Sequence, residues 1–322
     1  MANYSSARRH IYQTIGYPIE AGAAALIYGF FSLLPIDAAS SLGGWIGRCV
    51  GPRLSYNRRA IKSLKHAFPE YSHTEIHKIT TNMWDNFGRV LAELPHLETI
   101  VTSRLEILNE EHIISVKPDG NPCIFFSGHF SNWEILGPAG QKIGVPSAQV
   151  YRAANNHLVD GMLRKIRKLK DTDSIPKGSE GARGIIAALK SGRRLGMLVD
   201  QKMNDGIPIE LFGRNAMTAP AVAQLSIKYS CPAIPVRIIR KDGCYFQIQF
   251  YAAIDKPVDG DISKMMRVIN MIFEEWATEN PGQWLGWLHR RWPKEARART
   301  QTLQQQKVRT STWRPNWLKP SR

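Results

Sequence analysis

The sequence predicts an α/β fold built on a central, largely parallel β-sheet flanked by helices. Three observations carry that prediction. Beyond residue 120, short β-rich runs alternate with helical segments, the pattern that winds strands into one sheet with helices laid over it. Residues 123–126 and 195–199 are almost continuously apolar, as central strands covered on both faces are. Residues 245–250 alternate instead and follow 233–239 across a Lys-Asp-Gly turn, which makes those two runs a hairpin.

Three stretches follow along the chain: an N-terminal membrane-associated helical segment at 1–55, an α/β domain at 56–293 and a basic tail at 294–322. The first opens on Arg8, Arg9 and His10 and then carries no charge between Glu20 and Asp37. As a helix that stretch is roughly 24 Å long, short of the ~30 Å hydrocarbon core, so it spans only with Tyr17, Pro18 and Ile19 drawn in, or lies partly inserted. A signal peptide is the rival outline, but the apolar run begins late. Arg48, Arg53, Arg58, Arg59, Lys62 and Lys65 come next, which by the positive-inside rule keeps the rest of the chain cytoplasmic. A retained anchor is therefore favoured over a buried helix of the domain.

From Asn57 to Ile100 the pattern is helical. Ser72 and Glu75 have capping-box spacing, and Ile76, Ile79, Met83, Phe87 and Val90 recur at helical intervals. Strands are expected at 123–126, 148–151, 195–199, 233–239 and 245–250, with helices at 156–169, 181–190, 219–229 and 262–278. In the tail, Trp313 and Trp317 among cations suit a membrane interface.

Lys and Arg number 43 against 27 Asp and Glu, a formal charge of +16. Such an excess implies an anionic partner: nucleic acid, an anionic membrane surface or an acidic substrate. With neither a recognition motif nor aromatic-studded basic strands, nucleic acid is the least supported. Cys49, Cys123, Cys231 and Cys244 are widely spaced without a CxxC pair, so they read as reduced thiols in a cytoplasmic compartment and argue against a zinc site.

The chemistry concentrates in Ser127-Gly-His-Phe-Ser-Asn-Trp-Glu134. A strand ends near Ser127 and a helix is expected from Ser131, so His129 falls in the turn, at the open strand end where α/β folds hold ligands. On a regular helix His129 and Glu134 would sit about 140° apart, so they meet only if the histidine lies outside the helix and folds back. A carboxylate on one ring nitrogen would then fix the tautomer while the other takes a proton. Equally open is a structural reading in which Ser131 and Glu134 form a capping box. A metal at His129, Glu134 and His157 fails the usual ligand spacings.

Six segments in order decide between these. They are Asn57-Arg-Arg with His66-Ala-Phe-Pro-Glu70; Gly128 to Glu134; Val150-Tyr-Arg152 with Asn155, Asn156 and Asp160; Leu198-Val-Asp-Gln201; Leu211-Phe-Gly-Arg214 with Thr218; and Gln283-Trp with Trp287-Leu-His-Arg-Arg-Trp292. Together they resemble the late acyltransferases of lipid A biosynthesis, the lauroyl and myristoyl transferases within the His-x4-acid glycerolipid-type acyltransferases. The resemblance implies an enzyme that moves a fatty acyl chain from an acyl carrier protein thioester (or acyl-CoA) to a hydroxyl of a Kdo-lipid A precursor, with no cofactor or metal. It implies His129 as general base assisted by Glu134, and a site on the cytoplasmic face of a bacterial inner membrane among membrane lipids.

Around that pair, Arg152 follows a strand end and can grip phosphate or carboxylate, or it is a surface arginine. Arg167 lies nearest the family's corresponding arginine on a basic helix with Arg164, Lys165, Lys168 and Lys170. Asp200 and Gln201 are expected to order Arg152 or a bound sugar, or to serve structure alone. Backbone amides near Ser131, or Arg152, would meet the oxyanion. Trp133, Ile135 and Leu136 are expected to line the acyl pocket, and His289 to pack rather than catalyse. A related enzyme acting on another glycolipid or a lysophospholipid is the alternative, and an inactive basic membrane- or nucleic-acid-binding relative a third reading.

Overall fold

The structure, a computed structural model, describes residues 12–118, 120–167 and 174–292. The basic tail, Arg8 and Arg9, and Lys168 and Lys170 lie outside the described residues. Helices α1 (Tyr17–Ser32) and α2 (Ile36–Val50) come first, then α3 (Ser55–Ala67), α4 (His73–Glu93) and α5 (Leu97–Ser103). Strands β1 (Leu105–Leu108) and β2 (Ile124–Ser127) lead to α6 (Leu136–Lys142), β3 (Ser147–Tyr151) and α7 (His157–Arg167). Next are β4 (Ser174–Pro176), α8 (Ser179–Lys190), β5 (Arg194–Leu198), β6 (Ile207–Leu211) and β7 (Arg214–Thr218). The chain closes with α9 (Ala221–Lys228), β8 (Ala233–Asp242), β9 (Tyr245–Phe250) and α10 (Ile262–Glu279).

Seven strands form one sheet in the order β1-β9-β8-β2-β5-β3-β4, and β6 with β7 forms a separate antiparallel hairpin. From β8 to β4 the neighbours are parallel; β9 runs antiparallel to β8 and carries β1 beside it. The expected largely parallel sheet is thus present. β2 shows why it is central. Ile124 and Phe126 join the core made with α3, α4, α9 and α10, whereas Cys123 and Phe125 join the one made with α5 and α6. All four side chains are buried, so the strand reads as apolar throughout.

The Ser72–Glu75 capping box is formed, with Glu75 N–H donating to Ser72 Oγ and Ser72 N–H donating to the Glu75 carboxylate. α2 and α4 meet through glycines: a Cβ on Gly88 would lie 2.1 Å from the Gly43 carbonyl oxygen, so this crossing requires glycine. The spanning form of the anchor expectation finds no support. α1 is 16 residues, roughly 24 Å by the rise of an α-helix, and no helix among the described residues is long and apolar enough to cross a membrane. Pro35 ends the run by breaking α1 from α2, and Asn156 at the start of α7 donates to the Tyr17 carbonyl and the Glu20 carboxylate. α1 therefore lies against the domain, with Leu26 77% exposed on its outer face and Leu33, just past its end, 84% exposed.

Candidate active site

Two neighbouring parallel strands carry the central residues of the candidate site. Ser127 of β2 is in register with Leu198 of β5, and Val199 N–H donates to the Ser127 carbonyl. The residues that leave these strand ends, Gly128-His129 and Asp200-Gln201, therefore emerge side by side. Gly128 is required there by space: a Cβ would sit 2.8 Å from the Phe130 ring and 3.0 Å from Asp200 Oδ2.

His129 Nδ1 is 2.6 Å from Asp200 Oδ1, while Asp200 Oδ2 accepts the His129 backbone N–H and the Trp284 indole N–H, each at 2.8 Å. Asp200 is fully buried, and burial alone would favour its neutral form. The His129 ring and backbone amide outweigh that penalty and hold the carboxyl well below the usual carboxylate range. A carboxylate accepting three N–H groups has no proton to give, so in the neutral ring Nδ1 carries the proton and Nε2 the lone pair. Nε2 faces the Gln201 amide nitrogen at 3.2 Å. Trp133 and His289 make edge contacts with the ring, at centroid distances of 5.0 and 5.9 Å.

The carboxylate on His129 is thus Asp200, and Glu134 is engaged elsewhere. Arg167 donates to it through Nε at 2.7 Å and Nη2 at 2.6 Å, and the Trp133 indole N–H donates at 3.0 Å. Burial works to depress the Arg167 guanidinium, but Glu134 more than offsets it and leaves the group above its ordinary value. The reason the histidine and glutamate do not pair is local backbone. Ser131 takes a left-handed φ of 50°, and a short 3₁₀ turn (Trp133–Ile135) precedes α6. Asn132, not Ser131, is the cap, accepting the Glu134 N–H at 3.2 Å. The Ser131–Glu134 capping box is therefore absent, and Ser131 Oγ is buried without a partner among the described residues.

The loop is clamped from behind. Ser131 N–H donates to the Gln283 carbonyl, Leu285 N–H donates to the His129 carbonyl, and Phe130 stacks on Trp284 with the rings 7° from parallel. Asn132 also donates to Glu93, which receives a bidentate ion pair from Arg240.

His129 opens onto a cavity of about 470 Å³ that also takes in Glu134, Arg152, Arg167 and Gln201. Trp133 and Leu136 line it, but Ile135 is buried in the core instead. Sequence reasoning missed Lys177, which also lines it. Tyr151 and Pro176 are in register on the adjacent parallel strands β3 and β4, so Arg152 and Lys177 leave those strands as neighbours. Neither makes a salt bridge among the described residues. Desolvation, joined by the Arg152 charge, lowers the Lys177 ammonium against the pull of Asp200. A three-residue strand has too little periodicity to announce itself, so nothing in the sequence marked Lys177. Arg164, exposed on α7, pairs with the buried Asp160. Among the described residues no group of three or more His, Cys, Asp or Glu is placed to hold a metal ion.

The histidine thus has one ring nitrogen fixed on a buried carboxylate and the other facing a cation-flanked cavity. The class is a transferase of the α/β type. The chain belongs to the bacterial lipid A biosynthesis acyltransferases, whose family model matches residues 11–294. No curated protein sequence matches it.

Proposed function

We propose that the chain transfers a fatty acyl group from an acyl carrier protein thioester to a hydroxyl of a Kdo-bearing lipid A precursor, with His129 as general base. The observation that carries this is the His129–Asp200 pair at 2.6 Å, with the opposite ring nitrogen facing the cavity. The acceptor oxygen attacks the thioester carbonyl carbon as its proton passes to Nε2. Collapse of the tetrahedral adduct breaks the C–S bond, and the thiolate recovers the proton from the imidazolium. Asp200 supports the imidazolium charge; Glu134 serves the reaction through Arg167, which it aims along the cavity wall. Arg152 and Lys177 hold the anionic groups of the substrates. Val90, Leu94, Leu136 and Leu163 give the cavity an apolar wall that suits an acyl chain, and it borders a small apolar recess of about 40 Å³ between sheet and α6.

Work on such a lipid calls for a protein at the membrane surface. The exposed apolar side chains Leu26, Ile27, Phe30 and Leu33 of α1 and its end, with Trp45 and Val50 of α2, support in-plane association with lipid rather than spanning. All four cysteines are free, which suits the cytoplasmic face of an inner membrane. Purified protein given acyl carrier protein thioester and a Kdo-bearing precursor is expected to yield a more highly acylated lipid by mass spectrometry, and His129→Ala to abolish it. No product from the intact protein, or undiminished product from the variant, would sink the proposal; product only on another lipid would change the acceptor.

A further inference from the structure

Acyl transfer leaves one requirement unassigned: a donor for the oxyanion that forms when the hydroxyl adds to the thioester. The loop amides are mostly engaged. His129 N–H is held by Asp200, Phe130 N–H by the Gly128 carbonyl, Ser131 N–H by Gln283 and Glu134 N–H by Asn132. The side chain closest to the reacting nitrogen is Gln201, whose amide nitrogen is 3.2 Å from His129 Nε2. Because Nδ1 carries the ring proton, Nε2 presents a lone pair, and only the NH₂ end of the carboxamide can face it; the oxygen would set lone pair against lone pair. The Gln201 carboxamide makes no other hydrogen bond among the described residues, and it is half-buried at the cavity wall. It has a single tether, and that tether is the atom the substrate must reach.

We propose that Gln201 caps the base in the substrate-free protein and then serves as the oxyanion donor of the transfer. The acceptor hydroxyl displaces the amide from Nε2 and donates its own O–H there. As the C–O bond forms, the carbonyl π electrons move to oxygen, and the freed Gln201 N–H donates to that oxyanion. Return of the electron pair expels the thiolate, which takes the proton from His129. Once Nε2 is protonated it repels the amide N–H, so the cap cannot re-form until the proton has left.

The inference rests on the acyl-transfer reading, and the test separates the two. Gln201→Ala and Gln201→Glu are compared with the intact protein in the same thioester assay across pH. For Gln201→Ala, kcat is expected to fall on the order of 10²–10³-fold, as for loss of one oxyanion donor, with KM within about threefold. The acidic limb of the kcat/KM profile moves to higher pH, because a hydrogen bond that favours the neutral ring is gone. Gln201→Glu moves it further, since a carboxylate at that position favours a protonated ring. The other charged or titratable groups around the ring are Asp200, His289, Glu134 with Arg167, Arg152, Lys177 and, behind His289, Arg291 and Arg59, and none is altered by these changes. Circular dichroism melts are expected to be unchanged. An inactive intact protein refutes the acyl-transfer reading. An active one whose Gln201→Ala variant keeps its kcat, or loses activity only through KM, overturns the donor role. A fall in kcat with an unmoved acidic limb overturns the cap.

Discussion

Replacing Asp200 with asparagine tests the site at its most constrained atom. The carboxylate serves three donors through two oxygens: Oδ1 takes the His129 Nδ1–H, and Oδ2 takes the His129 backbone N–H and the Trp284 indole N–H. An amide has one acceptor end. Turned toward Nδ1–H, its NH₂ meets two fixed donors that have no alternative form. Turned the other way, its NH₂ meets Nδ1, and the ring can answer by moving its proton to Nε2. The second arrangement costs less, and it removes the base's lone pair. The lost charge adds to this. With imidazolium and carboxylate centres about 4 Å apart at an effective dielectric of about 20, their attraction is about 4 kcal/mol, or about three decades in rate. Asp200→Asn is therefore expected to lower kcat on the order of 10³–10⁴-fold, in line with the loss when the analogous triad carboxylate becomes an amide. Turnover is read by mass spectrometry of acylated lipid, with a melt to confirm the fold. Glu134→Gln is the comparison: it disturbs charge-assisted bonds to Arg167 worth about 1.5–3 kcal/mol, so about ten- to a hundredfold is expected. Folded Asp200→Asn protein that keeps more than a tenth of its kcat while Glu134→Gln is inactive would refute the Asp200 assignment.

Three further outcomes follow from geometry. Arg152→Gln combined with Lys177→Gln is expected to raise KM at least tenfold for a phosphorylated acceptor and much less for its dephosphorylated form, measured at fixed salt. Leu26→Asp with Leu33→Asp is expected to cut co-sedimentation with anionic vesicles roughly a hundredfold or more, since two leucines leaving lipid forfeit about 3 kcal/mol; the melt serves as control. His289 is pushed down to about 4 by burial, aided by its neighbour His129 and opposed by Asp200. The unfolded chain therefore binds the extra proton first, and stability is full above about pH 6.5 and falls toward pH 4, at up to about 1.4 kcal/mol per unit. Urea melts of His289→Asn across that window are expected to show a shallower decline.

Long, regular signals were legible in the sequence, and short or cooperative ones were not. The strands at residues 123–126, 195–199 and 245–250 each lie within about one residue of β2, β5 and β9, because burial on one or both faces leaves a strong hydropathy pattern. The Ser72 box was legible because it is a property of four adjacent residues. β1, β4 and the β6–β7 hairpin were not, since three to five residues at a sheet edge or outside the sheet carry little periodicity. At the site, His129 could be picked out by its place after an apolar strand. Its partner could not, because 71 residues separate it from Asp200 and only the β2–β5 register closes that distance. Glu134 was near in sequence and far in bonding, since a left-handed Ser131 turned the chain away from the expected helical start.

The clamp behind the loop explains why the closing motif belongs to the active site although most of it touches no substrate cavity. Trp284 donates to Asp200, stacks on Phe130 and is itself fully buried against Trp287. Its neighbours Gln283 and Leu285 bond the backbone on either side of Phe130, so both positions of His129 and Ser131 depend on the segment from 283 to 285. Gln283 in turn bonds Arg240 through both its amide ends, and Arg240 holds Glu93, which receives Asn132. The ring therefore closes on itself, from the His129 loop through β8 and α4 back to Asn132. Such over-determined support fixes the Asp200 carboxylate, because a shift of a few tenths of an ångström there would leave the Trp284 indole or the His129 amide without an acceptor in the buried interior.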